Sequence, residues 1–114
     1  MTEIDGKAIR EEILRVAREN PDHVYTTENA TCRYMDAPKQ PGCLVGTALF
    51  NLGKPVPEHL EGMRASGVLV KMEIDVSYDD ASWIDQVQDY QDSGGPWGEV
   101  VDKAENEDYD GADE

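Results

Sequence analysis

The chain has 114 residues, 39% of them hydrophobic, and carries 25 acidic against 10 basic side chains, a formal net charge of −15. That length makes one domain, able to remove roughly two thirds of its extended surface from water without disulfides or metals. No stretch approaches the roughly 18 apolar residues of a membrane span, and Met1, Thr2, Glu3, Ile4 and Asp5 lack the basic and apolar regions of an export signal, so the chain is expected in the cytoplasm and off the membrane.

The charge is polarised. Residues 1–72 hold ten acids and nine bases, a net of −1, whereas residues 73–114 hold fifteen acids and the single base Lys103, a net of −14. Nucleic-acid affinity comes largely from lysine and arginine displacing counterions from phosphates, so this sign excludes ordinary nucleic-acid binding and anionic lipid with it. A basic partner protein is the class of ligand such a surface attracts, and plain solubility is the simpler use of the same charge.

Taken in chain order, residues 3–19 read as the first helix. Thr2 and Asp5 have capping-box spacing, Ile9, Ile13, Val16 and Ala17 form one stripe, and Asn20-Pro21 stops the run. Residues 24–35 are rich in Val, Tyr and Thr around a polar Glu28-Asn29 centre, which predicts a short hairpin, followed by a loop over 36–42 with two prolines. Residues 43–52 carry the most apolar helical face, with Leu44, Val45, Ala48, Leu49 and Leu52, and Gly53 caps its end. Gly46 inside it predicts close approach of another element. Pro57 opens a helical turn over 58–63.

Over 68–76, Val68, Val70, Met72, Ile74 and Val76 alternate with Leu69, Lys71, Glu73 and Asp75. Period 2 argues for a strand that could pair with the hairpin, with helix as the alternative. Ser77 or Asp79 then caps a helix to about Gln91, with Trp83, Ile84, Val87 and Tyr90 inward and Asp85, Gln86, Asp89 and Asp92 outward. Gly94-Gly95 breaks it, and a last helix runs from Pro96 to about Glu105 with Trp97, Val100, Val101 and Ala104 on one face. Residues 105–114 carry six acids and no hydrophobic run, a composition that predicts disorder. The expected fold is therefore a predominantly helical α+β domain over 1–104, about four helices packed around the 43–52 helix with a small β element, and an acidic tail. Trp83, Trp97, Leu44, Leu49 and Leu52 are its structural anchors.

Chemistry is sparse. Cys32, Cys43, His23 and His59 lack the CxxC or HxxxH pairing with which one local turn holds two zinc ligands. Cys43 at a helix start is the one thiol whose pKa the helix could lower. Asp108-Tyr109-Asp110-Gly111 opens like a calcium loop but lacks the closing glutamate. No phosphate-binding, nucleophile-elbow or zinc-protease motif occurs, and a helix-turn-helix around Gly53 would offer Glu58, His59 and Glu61 to the major groove. The chain is thus read as non-enzymatic, without cofactor or metal.

Cys32-Arg33-Tyr34-Met35-Asp36, then Gln40-Pro41-Gly42-Cys43-Leu44-Val45-Gly46 with Ala48-Leu49 and Leu52-Gly53, and later Gln88-Asp89-Tyr90-Gln91-Asp92 with Gly94 and Pro96-Trp97-Gly98-Glu99, together resemble small proteins of unknown function from actinobacteria and their bacteriophages. The resemblance spans about residues 20–105 and brings no catalytic or binding residue with it. It implies a small phage-encoded protein in the cytoplasm of its host cell. Combined with the polarised charge, it leads to a protein that binds and modulates a host protein with a basic surface, through Asp79, Asp80, Asp85, Asp89 and Asp92. The alternative is a nucleic-acid mimic whose carboxylates stand in for phosphates and block the basic site of a DNA-binding or defence protein.

Overall fold

In the computed structural model, which describes residues 4–25, 33–37 and 39–113, the elements run α1 (Gly6–Glu19), β1 (Met35–Ala37), β2 (Gln40–Pro41), α2 (Leu44–Asn51), a 3-10 turn (Glu58–Leu60), α3 (Ala65–Lys71), α4 (Tyr78–Asp92) and α5 (Trp97–Asp113). The fold is a predominantly helical α+β domain, as the periodicities indicate. Helix α2 packs on α1 and α4, and α1 also packs on α4 and α5. The five aliphatic side chains Ile9, Ile13, Leu44, Leu49 and Ile84 are completely buried at that junction, together with Trp83.

Helix α1 starts at Gly6 rather than at residue 3. Asp5 is extended and caps the helix itself, its Oδ1 accepting from the Ala8 amide at 3.0 Å. Asp5 also bridges in parallel to Asp75, with the Gly6 amide donating to the Asp75 carbonyl at 3.0 Å. Thr2 lies outside the described residues. Next in the chain, the Pro21 and His23 carbonyls accept from the amides of Gly98 and Trp97, both at 2.9 Å, so the turn after α1 satisfies the open N-terminus of α5.

The β element lies later than the composition of 24–35 suggests. It is a two-stranded antiparallel ladder with Met35 opposite Pro41 and Ala37 opposite Gln40, beginning at the last residue of the expected hairpin and otherwise inside the stretch expected to be a loop. Of the expected hairpin, residues 26–32 lie outside the described residues. Lys39, in the connection, has a left-handed φ of 62°.

The segment 68–76 is not a strand. Ala65, Val68 and Leu69 are buried at helical spacing in α3, while Val70, in phase with the alternation, is 72% exposed. Two side chains of α4 decide the matter: Gln88 Oε1 accepts from the Ala65 amide at 3.0 Å and Asp85 Oδ1 from the Ser66 amide at 2.9 Å, capping a helix whose own N-cap, Arg64, makes no side-chain cap. The helix ends in a Schellman motif, with Ile74 N donating to Leu69 O and Glu73 N to Val70 O, each at 3.0 Å. Helices α2 and α4 end the same way, on Gly53 (φ 83°) and Gly94 (φ 97°), but α3 places Glu73 in the left-handed position at φ 61°. Replacing Glu73 by Gly removes that strain, which outweighs the added freedom of the unfolded chain. Glu73→Gly is expected to stabilise the fold by about 0.5–1 kcal/mol, read as a rise of a few degrees in melting temperature; a fall would sink this account of the turn.

Helix α4 is capped by Ser77, whose Oγ accepts from the Asp80 amide at 3.1 Å. Helix α5 runs to Asp113, eight residues past the expected end at Glu105 and through the stretch whose composition suggests disorder; Pro96 is the last proline in the chain, so none interrupts it. No described helix is long and apolar enough to cross a membrane.

A polar tie joins α1 to α2. Asn51 Nδ2 donates to Glu12 Oε2 at 3.0 Å, and Arg15 donates to the same carboxylate from the next turn of α1. The Arg15 hydrogen bond, opposed by burial and aided by Asn51 and by the Arg15 charge, holds the Glu12 carboxyl below its ordinary value. A depressed folded pKa means that this stability is present above the unfolded carboxyl's value and is lost as pH falls through the folded one. Glu12→Gln should therefore lower stability at pH 7 by up to about 1 kcal/mol, with the gap to wild type closing as pH falls below the ordinary carboxylate range. A gap that stays constant with pH would show that the charge on Glu12 contributes nothing.

Candidate functional site

The α4 carboxylates do not form one surface. Asp79 and Asp80 occupy the first turn, where acidic groups meet the positive end of the helix. Asp80 points toward α1, where Arg10 Nη1 lies 3.0 Å from Oδ1; Arg10 Nη2 is 3.6 Å from Glu105 of α5, and its guanidinium stacks 4.5 Å above the Trp83 ring. One arginine thus pins three helices together and lies over the large anchor of α4.

Asp85 and Asp89 face the other way, toward α3. Asp85 is 15% exposed and splits its oxygens between the Ser66 amide and Arg64 Nε at 3.4 Å, and Asp89 reaches Arg64 Nη2 at 3.3 Å. The Asp85 charge, its hydrogen bond and then the Asp89 charge hold the Arg64 guanidinium still more firmly protonated. Asp92 is exposed and accepts from Gln91 Nε2 at 3.1 Å. Of the five residues expected to meet a partner, three are therefore engaged with arginines of the same chain, and Asp85 is a helix cap.

Other carboxylates remain outward. Burial of Trp97, Val100, Val101 and Ala104 turns Glu99 and Asp102 of α5 to solvent, and Asp79 is exposed as well. Among the described residues no ion pair involves Asp79, Glu99 or Asp102. The Arg10 link sets the first turn of α4 beside α5 near residue 105, so these carboxylates belong to neighbouring elements. Glu99 and Asp102 are readable from the α5 periodicity as the face opposite the tryptophan.

A second feature has no periodic signature in the sequence. The hairpin and the segment 55–61 flank a cleft of about 520 Å³ lined by Arg33, Met35, Lys39, Pro55, Val56 and Pro57 and by the carboxylates Asp36, Glu58 and Glu61. Its architecture is held by Glu61, whose two oxygens accept from the amides of Tyr34 at 2.9 Å and Met35 at 3.0 Å. Behind it the Tyr34 ring is buried, its hydroxyl donating to the Met63 carbonyl and accepting from Gln88 Nε2. Paired prolines in both segments were the only hint.

The anchors Trp83, Trp97, Leu44 and Leu49 are buried, and Leu52 is half-buried against the core. His23 is an exposed residue whose ring meets Trp97 edge-on at 4.4 Å, and His59 is exposed in the 3-10 turn. Cys43 is fully buried at the start of α2, and Cys32 lies outside the described residues. Among the described residues no group of three His, Cys, Asp or Glu side chains is placed to hold a metal ion. Comparison of the chain with protein-family models, curated proteins and solved structures finds no match.

Proposed function

We propose that this is a non-enzymatic binding protein that docks a basic surface of a partner protein, the partner being a host protein if the chain is phage-encoded as its resemblance implies. The observation that carries the reading is the set of outward carboxylates Asp79, Glu99 and Asp102 without counter-cations among the described residues, while Asp80, Asp85 and Asp89 are matched by Arg10 and Arg64. Fixed negative charge on rigid helices speeds encounter with a positive patch and gives an association that weakens with salt. The nucleic-acid mimic is less well supported, because two arginines interrupt the row of carboxylates that would have to imitate a phosphate backbone.

The test is capture from actinobacterial lysate with wild type and with Asp79→Asn/Glu99→Gln/Asp102→Asn side by side. A basic protein retained by wild type in low salt, released by a few hundred millimolar salt and not retained by the variant is the expected result. Equal capture by both proteins, or none by either, would remove the proposal.

A further inference from the structure

We infer that the cleft between the hairpin and residues 55–61 is a binding site for a small organic anion, a single carboxylate or phosphate head on an apolar body. Its volume, about 520 Å³, lies inside the roughly 300–1,000 Å³ of small-molecule sites. One side is apolar and stiff: Val56 is 4% exposed between two prolines whose φ angles are set by their rings, and Met35 is half-buried. Such a wall loses little entropy when a flat apolar group lies on it.

The lining carries two cations and three carboxylates, and two of the carboxylates already have hydrogen-bond partners. Glu61 has both oxygens occupied by backbone amides, and Asp36 Oδ1 accepts from the Tyr25 hydroxyl at 2.7 Å. Arg33 and Lys39, by contrast, make no ion pair among the described residues. Among the described residues the Arg33 side chain donates through Nε alone, to the Met35 carbonyl at 3.2 Å; this orients the guanidinium and leaves both terminal nitrogens to meet an oxyanion in the forked geometry arginine favours. Lys39 is held in the hairpin connection by its φ of 62° and adds a second positive charge. Glu58 is the one lining carboxylate with no partner among the described hydrogen bonds and ion pairs, so the head seats toward Arg33 and Lys39 and away from it.

The full chain, labelled with 15N, is titrated with phenylphosphate and with phenylacetate, using inorganic phosphate and benzyl alcohol as head-only and body-only probes. One of the two aromatic anions should shift the amides of Met35, Val56 and Glu58 saturably with a Kd of about 1 mM or tighter, and whichever binds better identifies the head. Arg33→Gln/Lys39→Gln, verified as folded by its unfolding curve, should weaken that binding at least about tenfold, and Glu58→Gln should tighten it at least about twofold. The inference is overturned if neither anion gives a saturable shift up to about 5 mM, if inorganic phosphate or benzyl alcohol binds as well, or if the arginine–lysine variant binds unchanged. Because Asp79, Glu99 and Asp102 lie outside the cleft, neutralising them leaves this titration unaltered, so the two proposals fail separately.

Discussion

Gly46→Ala should destabilise the protein by at least about 3 kcal/mol, and Gly67→Ala should stabilise it by about 0.5–1 kcal/mol. Both glycines lie inside helices, so propensity alone favours alanine at each. At Gly46 a Cβ would sit 2.6 Å from the carbonyl carbon and the Cα of Tyr34, and closer still to its oxygen. Those are backbone atoms in a segment held on both sides: the Tyr34 carbonyl accepts from Gly42 N at 3.0 Å and the Arg33 carbonyl from Cys43 N at 2.9 Å. The Tyr34 hydroxyl and amide are tied as well, so relief of the clash would break a bond at every step. At Gly67 the only atom in reach is the flexible tip of Met63, at 3.2 Å, which can rotate away. In a domain whose total stability is about 5–15 kcal/mol, the first change lowers the melting temperature by more than about 10 °C and the second raises it. A mild effect at Gly46 would mean that α2 and the 33–36 segment are not packed backbone to backbone.

The same pair shows where sequence reading works. Gly46 in an otherwise apolar helix announced a close approach, and the face of Leu44, Val45, Ala48 and Leu49 placed α2 at the centre, because burial of an amphipathic helix is a local pattern with one solution. Residues 68–76 read as a strand because the buried Val68 and Ile74 both fit the alternation; the exposed Val70 and the buried Leu69 distinguish it from helical spacing, and which of these is covered depends on the partner element. The caps of α3 come from Asp85 and Gln88, about twenty residues downstream, and that of α2 comes from Gln91, whose Oε1 accepts from Leu44 N at 2.7 Å. A rule that sends polar residues outward assigns these side chains to water. For the same reason the acidic row on α4 looked like one partner surface, although charge pattern cannot tell a carboxylate that meets solvent from one that meets Arg10 or Arg64. The cleft was illegible for a further reason: its walls are 33–39 and 55–61, far apart in sequence and tied by the bonds of Glu61.

Gln88→Leu tests how far those buried caps hold the fold, with an expected loss of about 2–4 kcal/mol. Gln88 is 8% exposed, and Leu fills similar volume, so packing is nearly conserved and the effect isolates polarity. Leucine strands the Ala65 amide, which Gln88 Oε1 satisfies at 3.0 Å, and withdraws the Nε2 donor that meets the Tyr34 hydroxyl at 2.9 Å. An orphaned buried donor accounts for about 1–3 kcal/mol and each lost neutral bond for about 1. Tyr34→Phe, which removes the hydroxyl shared by Gln88 and the Met63 carbonyl, should lose about 1–3 kcal/mol alone. Because the two residues share a bond, the double variant should be less destabilised than the sum, with a coupling of about 1 kcal/mol or more in a denaturant double-mutant cycle. Strict additivity would mean that the Gln88–Tyr34 bond carries no stability. The link from α4 to the segment of Tyr34 would then rest on packing, with Glu61 left as the tie that orders the amides of Tyr34 and Met35.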